Sequence, residues 1–149
     1  TIGERLLLTL WVGALWSIGY LAVPLAFINL ETLVAAEYAA KLFFAVNVIG
    51  IISGTLILLG KIIIQRGRVI HSWRFWILIA MLIITLLFSM YVQPEMANIK
   101  TVDNWRLETN LAERFEWLHM LSQNLYLMLS IAGLLLVLST DKNHVAEKN

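Results

Sequence analysis

The sequence predicts an all-α integral membrane protein, an antiparallel four-helix bundle with its N and C termini cytoplasmic, and three observations predict it. The first is composition: 60% of the 149 residues are hydrophobic and 14% charged, with a mean hydropathy of +0.78, where an ordinary soluble chain is about a quarter charged. The second is spacing. The runs 6–30, 42–60, 75–94 and 117–140 hold no Asp, Glu, Lys or Arg, and each is near the roughly 20 residues that carry a helix across about 30 Å of hydrocarbon. None alternates with period two, as strands of a membrane barrel would. The third is charge asymmetry. If four helices alternate, Arg5, Lys61, Arg66, Arg68, Arg74, Lys142 and Lys148 lie on one side and Lys41, Lys100, Arg106 and Arg114 on the other. The side richer in lysine and arginine is cytoplasmic.

The first helix is expected at about 6–30; its apolar run is too long for a signal-peptide core and its head, "TIGER", is only weakly basic, so it reads as a span. The second, at about 38–64, starts ahead of the bilayer because "ETLVAAEYAAK" favours helix, and it stops at "QRGR", where Gly67 is the expected reversal point. The third, at about 73–94, is expected to end at Pro94. About twenty polar-leaning residues follow on the outer face, "PEMANIKTVDNWRLETNLAER", a connection longer than an ordinary turn. The fourth helix, at about 112–140, has Thr109 or Asn110 as its expected cap, and the polar tail 141–149 frays. Trp73, Trp76, Trp105 and Trp117 mark the interfacial belts, with Trp11 and Trp16 deeper. No repeat or linker divides residues 1–140, which form a single domain.

Several chemistries are excluded. Without cysteine there is no disulfide, thiolate metal site, iron–sulfur cluster or c-type haem. A net charge of +1 with a short basic turn beside the membrane fits anionic lipid headgroups and not nucleic acid. No nucleophile–base set or glycine-rich phosphate loop appears.

Helical spacing places His119, Ser122, Tyr126, Ser130 and Gly133 on one face of the fourth helix, and Thr9, Gly13, Ser17, Tyr20 and Pro24 on one face of the first. The second helix offers Asn47, Gly50 and Gly54, the third Thr85 and Ser89. These stripes are expected to face inward, with Gly13, Ser17, Asn47, Gly50, Gly54, Ser122, Tyr126 and Ser130 packing the interfaces between helices. His119 at the outer head of the fourth helix is either a structural hydrogen-bonding group or a ligand. With Met120 and Met96 on the same outer side it forms a candidate copper site, since thioether and imidazole suit Cu(I). A haem or quinone beside Tyr20, Asn47 and Tyr126 is a further alternative. Bis-histidine haem is excluded within one chain, because His71 lies in the cytoplasmic turn and His144 in the tail.

The segments "RLLLTLWVGALWSIGYLAVPLAF", "AAKLFFAVNVIG" and "FEWLHMLSQNLYLMLSIAGLLLV" resemble small bacterial four-helix membrane proteins of unknown function related to transmembrane protein 205, within the copper-resistance-protein-D-like superfamily. Trp11, Gly13, Pro24, Phe115, His119 and Ser122 carry the resemblance. It implies a four-helix fold with a histidine at the outer head of the last helix and, by distant kinship, metal or haem handling. The expectation for the whole chain is a non-enzymatic accessory or structural subunit of a larger complex in the bacterial inner membrane, in contact with lipids and other integral membrane subunits. Copper handling and a haem- or quinone-associated bundle are the alternatives.

Overall fold

The computed structural model describes residues 2–139. The tail reading, with Lys142, His144 and Lys148, therefore lies outside the described residues. Within them the protein is all-helical, and four helices are long and apolar enough to cross a membrane: α1 (Ile2–Asn29), α2 (Thr32–His71, whose α-helical part is Thr32–Gln65), α3 (Trp73–Lys100) and α4 (Thr109–Leu138). The chain is a multi-pass membrane protein. Each helix packs against two others, α1 with α2 and α4, and α3 with α2 and α4. One apolar cluster draws from all four, including Trp11, Leu15, Val46, Met81 and Leu129.

The prolines do not end helices. Pro24 and Pro94 each follow a five-residue π-helical turn, Ile18–Ala22 and Phe88–Val92, and the helix then continues. A proline removes one backbone donor and crowds the carbonyl four residues earlier; a π turn widens the ladder at that place and absorbs both. The third helix accordingly runs to Lys100 instead of ending at Pro94. The connection between the third and fourth helices shrinks to residues 101–108, with a short 3-10 turn at Trp105–Leu107 and Asn104 in the left-handed conformation. Glu95 and Arg114, both expected in that loop, pair at 3.0 Å between α3 and the head of α4. The cap of α4 falls on Glu108, one residue before Thr109, and makes no side-chain cap bond.

At the other turn the positive φ belongs to Arg66 (φ 50°) and not to Gly67. A 3-10 helix, Arg66–His71, begins at that residue.

A register repeats through the fold although few of the residues do. Leu8, Trp11, Val12 and Leu15 are the buried positions of the first α-helical part of α1, and Leu78, Met81, Leu82 and Thr85, each 70 residues later, are buried in α3. The π turns and prolines keep the same offset. The buried residues of α4, namely Leu118, Leu129, Ser130, Gly133 and Leu136, each lie 83 residues after a buried residue of α2: Ala35, Val46, Asn47, Gly50 and Ser53. The two helical hairpins bury equivalent positions, with Trp11 against Gly50 in one interface and Met81 against Gly133 in the other. The register was invisible in the sequence because lipid-exposed positions vary freely among Leu, Ile, Val and Phe.

Most of the inward stripe expected on α1 is turned out. Thr9, Gly13, Ser17 and Pro24 are exposed, while Tyr20, also partly exposed, reaches Ser130 and Tyr126 of α4, and the buried face is the apolar one. Gly13 has nothing within 4 Å of its Cβ position, and the Ser17 hydroxyl donates to the Gly13 carbonyl of its own helix at 2.6 Å. Neither packs a helix interface. In lipid, small residues matter where backbones or bulky rings approach closely, and here Trp11 selects the place: Gly50 and Gly54 of α2.

Tyr126 ties α4 to α1 by donating its hydroxyl to the Leu15 carbonyl, beside Gly19. Leu15 and Gly19 are the i and i+4 partners of an ordinary helical bond, and the π turn lies where this side chain enters the ladder. Tyr126→Phe is expected to lower stability by about 1 kcal/mol. Thermal unfolding in detergent, followed by tryptophan fluorescence, checks this; an unchanged midpoint would refute the role.

Candidate functional site

One end of the helix assembly gathers the start of α1, the finish of α2, the start of α3 and the finish of α4. Lys61, one turn before the α-helical part of α2 stops, is 8% exposed. A buried ammonium needs a counter-charge and hydrogen bonds to remain ionised. Glu4 supplies both, with its Oε1 at 2.9 Å from Lys61 Nζ and 3.8 Å from Arg74 Nη2. Arg74 also donates through Nη1 to the Ser139 hydroxyl at 2.6 Å and to the Ser139 backbone carbonyl. Glu4, Lys61 and Arg74 come from three different helices, and Ser139 closes the fourth. Leu8, Ile57, Leu78 and Leu136, one from each helix, lie beside the charges and form the end of the apolar core there. Arg74 Nε is buried without a hydrogen-bond partner.

These charges border an open cavity of about 1440 Å³. Arg66 and Arg68 line its edge and are exposed, and His71 stands beside them. Four lysine or arginine side chains thus face one carboxylate, Glu4, among the described lining residues. The same wall carries exposed apolar side chains: Leu56 at 51%, Ile64 at 67% and Leu138 at 69%. The non-glycine positive φ at Arg66 is a conformation that L residues seldom adopt, and it sits on this cavity. The arrangement can hold an anion, because excess positive charge beside a low-dielectric wall is screened less than on an open surface.

The residues of the outer-face copper reading make the following contacts. Met96 Sδ is 3.7 Å from the Ser122 hydroxyl, which itself donates to the Leu118 carbonyl at 2.8 Å. His119 is exposed, with Nε2 3.3 Å from Gln123 Nε2 and its ring parallel to that of Phe115 at 6.4 Å between centroids. Met120 is 56% exposed. Among the described residues no group of three or more His, Cys, Asp or Glu could hold a metal ion.

The interface-packing expectations divide. Asn47 is buried and bonds Gln93 of α3 at 3.2 Å. Ser130 is fully buried, accepts from Tyr20 at 3.1 Å, donates to the Tyr126 carbonyl of its own helix, and its backbone carbonyl accepts from Trp16 Nε1 at 3.3 Å. Gly50, Gly54 and Gly133 stand against Trp11, Leu82 and Val12. Where a haem or quinone was considered, Tyr20, Phe43 and Tyr126 pack edge to face.

The basic end was read in the sequence as an orientation signal and as a contact for anionic lipid headgroups. The clue to its buried part was Lys61, a single cation closing a long apolar run, with Glu4 near the other sequence end of that side; their pairing depends on how helices neighbour one another.

A family model described as a domain of unknown function, DUF4149, matches residues 6–104. That interval spans nearly all of α1, the whole of α2 and α3, and the basic turn; it stops before α4 and His119. Neither a curated protein nor a solved structure matches the chain.

Proposed function

The chain belongs to the DUF4149 family, and from that premise we propose that it is a non-enzymatic accessory subunit of the bacterial inner membrane. In this reading its four helices form an antiparallel bundle, both termini and the basic vestibule are cytoplasmic, and the lipid-facing sides dock other integral membrane subunits. Kinship with the proteins related to transmembrane protein 205 belongs to the same proposal. The observation that carries it is the segregation of charge: Glu4, Lys61, Arg66, Arg68 and Arg74 gather at one end of the helices, Glu95 and Arg114 at the other. Between the two ends, large apolar side chains such as Phe44, Ile52, Ile83 and Leu127 point outward. Net lysine and arginine excess favours the cytoplasmic side.

The chain has no cysteine, so single-cysteine variants report orientation cleanly. In intact spheroplasts a membrane-impermeant maleimide is expected to label Asp103→Cys, and to label Gly67→Cys only after permeabilisation. The opposite pattern overturns the orientation. On native gels of gently solubilised membranes the protein is expected in a larger assembly; migration solely as the 17.0 kDa chain overturns the accessory role.

A further inference from the structure

We propose that the basic vestibule is a binding site for the phosphate of an anionic membrane lipid, with the headgroup at Lys61, Arg66, Arg68 and Arg74 and the acyl chains along the apolar side of the same cavity. Three observations converge. The charge balance of the cavity leaves three cations beyond the single carboxylate among its described lining residues. Lys61 and Arg74 are already committed to Glu4, whereas Arg66 and Arg68 make no ion pair with a described residue and stand exposed at the edge. A phosphate there offsets part of that excess, and arginine binds its oxygens through a planar fork of donors.

The ligand's other half follows from the wall. Leu56, Ile64 and Leu138 line the cavity and are about half or more exposed, at the end of helices long enough to span a membrane. A soluble phosphate would leave these side chains without a partner in the site; a lipid covers them with its chains while its headgroup meets the cations. Such clusters beside a span attract anionic lipids. A zwitterionic headgroup fits poorly, because its own cation would be brought against the arginines. The site's chemistry is the same whichever side of the membrane it faces, so it stands or falls independently of the orientation proposed above.

The full chain, purified in detergent, is tested by native mass spectrometry with dioleoyl phosphatidic acid, phosphatidylcholine of the same chains, and inorganic phosphate as probes. Phosphatidic acid is expected to remain bound, phosphatidylcholine not, and inorganic phosphate is expected not to compete at equal concentration. Arg66→Gln with Arg68→Gln removes two edge cations without touching the buried ion pairs and is expected to weaken phosphatidic acid binding roughly thirtyfold. The charge-matched control, Lys41→Gln with Lys100→Gln at the other end, is expected to bind like the parent. Four results overturn the proposal: equal retention of phosphatidylcholine, displacement by inorganic phosphate, undiminished binding by the edge variant, or equal loss in the control. Displacement by phosphate would assign the site to a soluble anion.

Discussion

Glu4→Gln is expected to lower the stability of the detergent-solubilised protein by about 3–5 kcal/mol, the range for removing one partner of a buried ion pair. The carboxylate serves two cations at once, Lys61 at 2.9 Å and Arg74 at 3.8 Å, and both side chains are largely buried, 9% and 14% exposed. Neutralising Glu4 leaves two like charges in a low-dielectric setting with their shared counter-charge gone. Lys61→Met is expected to cost less. It removes one charge and leaves Glu4 with Arg74, and the methionine fills much of the lysine stem's volume against Ile57 and Leu8. The measurement is the unfolding midpoint of each variant under one detergent condition. Equal losses for the two would refute the role of Glu4 as the shared counter-charge, and losses near zero for both would show that helix packing alone holds this end together.

Gly50→Ala is expected to destabilise by about 1–3 kcal/mol through overpacking, although alanine is the better helix former by about 1 kcal/mol. A Cβ at Gly50 would stand 2.5 Å from Trp11 Nε1 and 2.9 Å from Cε2. Trp11 is fully buried, so its indole has no free space to retreat into. Gly13→Ala serves as the control, since that Cβ meets nothing within 4 Å; it is expected to leave stability unchanged or raise it slightly. Trp11→Phe removes the clashing pyrrole edge. In the double variant with Gly50→Ala it is therefore expected to recover part of the loss, a coupling read from a double-mutant cycle. Additive effects would show that the two residues do not constrain one another.

The spans were legible because a membrane helix must be continuously apolar, and that property survives in a single line of residues. Helix ends at prolines were not. Pro94 was expected to stop the third helix, yet it and Pro24 are each tolerated one step beyond a π turn, a compensation not written in the local sequence. Polar periodicity also misled on α1: Thr9, Gly13 and Ser17 form a clean stripe on the exposed side. In lipid a hydroxyl can be satisfied by its own helix, as Ser17 is, so polarity no longer marks the inside. On α2 the same kind of stripe does face inward, because Asn47 meets Gln93 and Gly50 meets Trp11.

The sequence by itself determined that this is a multi-pass helical membrane protein and that its cations crowd the turn between the second and third helices, since hydrocarbon tolerates neither exposed backbone nor unpaired charge. Only the tertiary structure decided which glycines admit a close neighbour, which residues share a buried register across the two hairpins, and that Glu4, Lys61 and Arg74 meet. Burial of a charge or a backbone is a property of neighbours, and residues 4, 61 and 74 become neighbours only when three helices return their ends to one place.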